Sequence, residues 1–251
     1  MMTANKLTNS ALLAGALAST AVKAHAQQTQ STNAPVVAAE TKIEKEPALP
    51  FSVSATLSPQ SHYMLRGYTI TDNPVIQPTL TLARGHLAAT GFWNYDTKAG
   101  NITEASLFVD ATKQFNKTTL GAGYEFITQP NTDFHDTHAV SGSASFELSP
   151  FRPNLKVVYD FAEGKGIYAE AGIGFAKLLT ERLSFDSSAS LSYNLHWFRE
   201  RSGLSHATFS AGLPLNLSKH FSVAPRINYQ HSLDSDFADK LYGGLTLSVN
   251  F

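Results

Sequence analysis

The chain has 251 residues, 16% of them charged, a formal net charge of −1 and a mean hydropathy of −0.13. This balance argues against a nucleic-acid binder, which carries a basic excess, and no run approaches the roughly 18 apolar residues of a membrane-spanning helix. Cysteine is absent, which excludes disulfides, thiolate metal sites and a lipid-modified cysteine.

Lys6 is the only charge in the first 22 residues. An apolar run over 11–22 follows it, and then Ala24-His25-Ala26. A charged start, a short apolar run and small residues at a cleavage site predict a secretory signal peptide over 1–26. Residues 27–50 are rich in Gln, Thr, Ala, Pro and charged residues. They hold too little apolar surface to fold alone and are expected to form a flexible periplasmic tail.

From Phe51 onward apolar and small polar residues alternate, the period of strands with one apolar face. The pattern predicts about twelve strands, over 51–66, 75–84, 87–95, 103–113, 118–127, 138–148, 154–161, 167–177, 183–194, 204–217, 221–231 and 240–251. Short turns at 84–86, 114–117, 149–153, 178–182 and 218–220 alternate with more polar connectors at 67–74, 96–102, 128–137, 195–203 and 232–239. The connector at 162–166 is a brief exception. Short turns at one rim and longer loops at the other, with an even strand count, are the signature of an antiparallel up-and-down transmembrane β-barrel.

Face composition separates this all-β barrel from a secreted sandwich. Over 183–194, Leu183, Phe185, Ala189, Leu191 and Tyr193 share one face, and Ser184, Asp186, Ser188, Ser190, Ser192 and Asn194 the other. A face of Ser, Thr, Gly and Asn with few charges suits a crowded aqueous lumen. The apolar face, with Trp93, Tyr95, Tyr193 and Tyr229 near strand ends, suits lipid with interfacial aromatics. Pro78, Pro214 and Pro225 fall inside expected strands and call for a bulge or a rim position, because proline removes a ladder donor.

The same parity turns His62, Arg66, Glu104, Asp110, Glu125, Asp160, Glu170, Asp186 and Arg226 into the lumen as constriction candidates. Gln77, Glu147, Lys156, His206, Asn228, Gln230, Tyr168 and Tyr242 join them. These residues either sense the charge of a solute or fill a narrow barrel with ion pairs, since buried charges need partners. Arg66, at the outer end of the first expected strand, is expected to bond a carboxylate or loop carbonyls, with Glu104 nearby. An enzyme reading has one His-x-Ser pair to draw on, His220 and Ser222, at the short-turn rim. His135, Asp136 and His138, with Asp133 close by, are a weak metal signal on a loop. The expectation is therefore no catalytic residue, no metal and no cofactor.

Tyr63-Met64-Leu65-Arg66-Gly67-Tyr68-Thr69, followed by Asp72-Asn73-Pro74-Val75-Ile76-Gln77, resembles the first hairpin of porins of the TorF type, small bacterial outer-membrane proteins. Gly91-Phe92-Trp93-Asn94 is similar to the stretch that follows it there. The resemblance implies a porin and carries no catalytic residues. The terminal strand, with Leu245, Leu247, Val249 and Phe251 at alternate positions, resembles the last strand of bacterial outer-membrane barrels. That likeness implies that the barrel assembly machinery reads Phe251.

The expected protein is thus a barrel over 51–251 in a Gram-negative outer membrane, with its amino-terminal tail and carboxyl terminus periplasmic. Its expected work is passive diffusion of small hydrophilic solutes through a narrow or partly plugged pore. The lipids and lipopolysaccharide of the membrane are its expected surroundings. The alternatives are a lipid-modifying barrel enzyme and a closed structural or surface-interaction barrel.

Overall fold

The computed structural model describes residues 51–132 and 135–251. The expected signal peptide and tail, and Asp133, lie outside the described residues. The elements are β1 (Phe51–Gln60), β2 (Tyr63–Leu65), β3 (Tyr68–Thr71), β4 (Val75–Arg84), β5 (Leu87–Asp96), β6 (Asn101–Phe115), β7 (Thr118–Thr128), β8 (Thr137–Phe146), β9 (Phe151–Asp160), β10 (Gly166–Leu178), β11 (Ser184–Leu195), β12 (Gly203–Gly212), β13 (Leu215–Asn216), β14 (Phe221–Ser232) and β15 (Lys240–Asn250).

All of these except β2 and β3 belong to one antiparallel wall. The short β13 continues the line of β12 along β14. Pairing of β1 with β15, from Ser54 opposite Asn250 to Gln60 opposite Gly244, closes a ring of 12 strands. Closure leaves no strand edge unpaired, which is what permits a sheet to sit in lipid.

Side chains alternate across this wall as the sequence pattern requires. Leu57, Leu80, Leu82, Leu107, Val109, Leu120, Leu155, Ile173, Leu191, Phe209 and Ile227 are exposed on the outside. Ser58, Thr79, Thr81, Thr90, Ser106 and Ser192 are buried on the inside. Aromatic residues ring both ends of the apolar belt. Trp93, Tyr95, Tyr124, Tyr159, Tyr193 and Tyr229 lie toward the loop rim, whereas Phe115, Phe146, Phe151, Phe221 and Phe251 lie toward the turn rim. Trp and Tyr have a polar tip as well as an apolar body, so they suit a headgroup boundary.

The three prolines sit where a donor is not needed. Pairing of β4 with β5 is interrupted across Gln77 and Pro78. Pro214 lies in the break between β12 and β13. Pro225 faces that same break from β14, where its carbonyl accepts the Leu213 N–H at 3.1 Å. Two missing N–H groups therefore share one interruption of the ladder.

One expected strand is corrected. The alternation over 51–66 is not a single strand: β1 stops at Gln60, and residues 63–71 form the separate hairpin β2–β3. Leu65 pairs with Tyr68 across a two-residue turn in which Arg66 and Gly67 have φ of 49° and 94°. Positive φ at both central positions is the requirement of a type I′ turn, the commonest tight hairpin connection. Tyr63, Met64, Leu65 and Tyr68 are buried, so the hairpin folds back into the barrel rather than extending its wall.

Candidate functional site

The inserted hairpin fills the loop-rim half of the lumen. Its Tyr63 and Leu65 pack with Val75, Phe92 and Phe108, and Ile70 flanks them. Its Tyr68 packs with Ala139, Val158, Tyr168, Trp197 and Phe237. Trp197 comes from the connector between β11 and β12, and Phe237 from the connector between β14 and β15. Loop aromatics thus close over the hairpin from outside while wall aromatics support it from below.

The hairpin tip meets the charged part of the lumen. Arg66 is fully buried, and its Nη2 donates to Glu125 Oε2 on β7. Lys156 Nζ on β9 donates to the other Glu125 oxygen at 3.0 Å. The Arg66 guanidinium carbon lies 5.0 Å from the Trp197 ring centroid and 5.7 Å from that of Tyr168. One carboxylate and two ring faces therefore hold a guanidinium away from water. Gln230 Nε2 donates to the Gly67 carbonyl at 2.7 Å, so a wall amide grips the turn itself.

Glu104, the candidate partner expected near Arg66, bonds the same hairpin at Tyr63. The Tyr63 hydroxyl donates to Glu104 Oε2 and the Ser106 hydroxyl to Oε1, both at 2.7 Å. It anchors the hairpin base while Glu125 anchors the tip. Glu170 accepts from the Tyr168 hydroxyl at 3.1 Å. Asp160 accepts from Thr137 at 2.7 Å and from the Trp197 indole N–H at 3.2 Å. Asp186 pairs with Arg226 nearer the turn rim. Asp110 faces the small residues Gly123 and Ser141 across the wall. His62 and Arg66 both leave the expected wall strand: Arg66 stands in the β2–β3 turn, and His62 lies between β1 and β2, its Nδ1 2.9 Å from the Asp72 carbonyl oxygen. His206 is buried under Gly67, and neither ring nitrogen has a hydrogen-bond partner.

Exposure grades along the lumen. The side chains of Arg66 and Glu125 are 0% and 3% exposed, Lys156 is 19%, and Asp186 and Arg226 are 27% and 40%. The interior is dry at the loop rim and opens toward the turn rim. A small cavity of about 10 Å³ remains beside the hairpin, lined by Leu65, Ile127, Gln129, His135, Thr137, Trp197 and Phe198.

The loop-rim connectors form a latch above this plug. Arg199 pairs with Asp234 at 3.2 Å and Asp236 at 3.5 Å, and its guanidinium carbon lies 5.5 Å from the Phe237 ring. Asp239 accepts the Ser232 backbone N–H at 2.7 Å, and this bond holds its carboxyl below the usual carboxylate range.

The remaining sequence candidates lie apart. His220 Nδ1 is 2.7 Å from the Asn250 carbonyl oxygen, while Ser222 pairs with Ser248 within the wall. His138 faces outward against Tyr124, Phe126 and Phe161, and His135 lines the small cavity on the other side. Among the described residues no group of three His, Asp or Glu side chains is placed to hold a metal. Sequence reasoning missed Trp197, Phe198 and Phe237 as parts of the plug. Their signal was three large aromatics in otherwise polar connectors.

No family model matches the chain, and no curated protein matches it. Solved structures share the fold. The KdgM porin matches with a TM-score of 0.55 and 8% identity over 80% of this chain and 99% of its own. An outer-membrane channel from Pseudomonas putida F1 matches with a TM-score of 0.55 and 9% identity over 84% of this chain and 100% of its own. The chain therefore has the fold of small bacterial outer-membrane porins and channels.

Proposed function

We propose that the barrel is a porin-like channel of the bacterial outer membrane that passes small hydrophilic solutes, with β2–β3 as a plug that keeps it narrow. The observation that carries this is a polar lumen, half open at the turn rim, inside an apolar girdled belt. A ring of 12 strands is wider than the filled eight-stranded barrels and narrower than the 16-stranded porins, so its lumen has room for a hairpin. The likeness of 63–77 to TorF-type porins belongs to the same proposal.

The turn rim is periplasmic in this reading, with residues 27–50 and the carboxyl terminus on that side and residues 1–26 removed on export. Lipid and lipopolysaccharide chains cover the outer belt. The assembly machinery reads Phe251, and Phe251→Ser is expected to lower the yield in the outer membrane.

Planar-bilayer recording of the refolded protein tests the channel. Small steps are expected from the intact chain, and larger steps when residues 62–72 are replaced by a short Gly-Ser linker. No steps from either protein in high salt would sink the proposal. Blockage at the loop rim favours a second reading, a barrel closed by its hairpin, and the intact chain separates the two: a closed barrel gives no steps until the hairpin is removed.

A further inference from the structure

The pocket that holds Arg66 has the composition of a cation receptor. Glu125 presents a carboxylate, and Trp197 and Tyr168 present ring faces at 5.0 and 5.7 Å from the guanidinium carbon. Aromatic faces attract cations through their quadrupoles, most strongly where water is excluded, and the planar guanidinium both stacks on rings and donates to carboxylates.

Tyr68 of the hairpin packs against the two rings of this cage, but each wall is also bonded to residues outside the hairpin. The Tyr168 hydroxyl is fixed by Ser192 at 2.8 Å and Glu170 at 3.1 Å. Trp197 donates its indole N–H to Asp160 at 3.2 Å and its backbone N–H to Asn194 at 2.9 Å. Lys156 steadies Glu125 at 3.0 Å. The occupant, by contrast, fits imperfectly. Nε and Nη1 of Arg66 are buried without a hydrogen-bond partner, although a guanidinium has five N–H donors to satisfy. Arg66 is tethered to a turn and cannot rotate to use them; a free guanidinium has no such tether.

We propose that Glu125, Tyr168 and Trp197 form a binding site for small guanidinium-bearing cations, with Arg66 as its built-in occupant in the resting barrel. The inference deepens the channel reading by naming a solute class. Its test reads binding without conductance, so a barrel that binds but does not conduct sinks only the channel, and one that conducts but does not bind sinks only the cage.

The chain has two Trp, and Trp93 faces outward. Trp93→Phe therefore leaves Trp197 as the sole indole. In that background Arg66→Ala empties the cage, and methylguanidinium is titrated against Trp197 emission, with methylammonium as the comparison. A saturable change is expected, weaker for methylammonium, and at least about tenfold weaker for methylguanidinium when Glu125→Gln is added, since a charge-assisted hydrogen bond is lost. With Arg66 present the same curve shifts to higher concentration through competition. An unsaturable change, or one of equal affinity without the Glu125 carboxylate, overturns the inference. If Arg66→Ala does not refold, the same titration is run on Arg66→Gln and on the Arg66 protein. Saturation in either supports the cage, and its absence in both overturns it.

Discussion

The guanidinium of Arg66 donates to the carboxylate of Glu125 across the lumen, joining the tip of the β2–β3 hairpin to the wall at β7. Both side chains are dry, so each depends on the other. Removing one partner of a buried pair costs about 3–5 kcal/mol, because the other charge is left uncompensated. Glu125→Gln is therefore expected to unseat the hairpin while the wall stays closed. Trypsin reads this directly: the bond after Arg66, protected in the folded chain, becomes cleavable. Arg66→Met combined with Glu125→Gln removes both charges and is expected to reseat the hairpin; because trypsin has no site after Met, protection is read with chymotrypsin at Tyr68, which is buried in the folded chain. Equal trypsin resistance in the intact protein and Glu125→Gln would show that the pair does not seat the plug.

Arg66→Ala is expected to raise conductance and move selectivity toward cations. The lumen retains Glu104, Asp110, Glu125, Asp160, Glu170 and Asp186 against Lys156 and Arg226, so the loss of Arg66 deepens an existing acidic excess. A reversal potential across a salt gradient measures the shift. Because Lys156 still holds Glu125, the hairpin is expected to loosen less than in Glu125→Gln, as read by chymotrypsin cleavage after Tyr68.

The wall was legible in the sequence because a membrane barrel imposes one rule on every strand. Lipid outside and water inside make the period of two survive even where strands carry proline, and the expected strand at 75–84 coincides with β4. The hairpin was not legible for the same reason. Tyr63 and Leu65 continue the parity of Val53, Ala55 and Leu57, so alternation carries the eye through Gln60 as if the wall went on. What distinguishes them is the Arg66-Gly67 turn, whose type I′ geometry favours Asn or Asp before Gly and is hidden by an arginine. Parity did bring Arg66 and Glu125 to the lumen. Parity left the choice among the lumen carboxylates open; Glu104, singled out for its place near the outer end of its strand, bonds Tyr63 of the same hairpin, and Glu125 takes the guanidinium.

The loop-rim latch is expected to survive mild acid. Asp239 keeps its carboxyl below the usual range through the Ser232 N–H. A depressed folded-state value means a contribution present above the unfolded pKa, near 3.8, and lost only as pH falls through the still lower folded value. From pH 7 to 5 hydrogen exchange at Ser232 is therefore expected to stay protected once intrinsic rates are corrected. Asp239→Asn, which cannot carry the charge, is expected to weaken that protection at both values. A loss of protection between pH 7 and 5 in the unsubstituted protein would reject this account of the loop.

Gly67→Ala tests whether the plug is held by its turn. Gly67 has φ of 94°, where a Cβ is strained by about 1–2 kcal/mol on backbone grounds alone. An added methyl would also run into the His206 imidazole, and into the Phe237 ring at 2.8 Å. His206 stands on β12 and Phe237 is held under the Arg199 latch, so neither yields easily. The turn can relieve both penalties by leaving the lumen, which frees the Gly67 carbonyl from Gln230. The expected phenotype is thus an intact barrel with a displaced hairpin: unchanged heat-dependent gel mobility, trypsin cleavage after Arg66, and conductance close to that of the 62–72 linker variant. Gly67→Ala with His206→Ala opens space for the methyl but leaves the φ strain, so it is expected to recover protection in part. If Gly67→Ala alone keeps full trypsin resistance and the small conductance of the intact chain, the turn does not hold the plug.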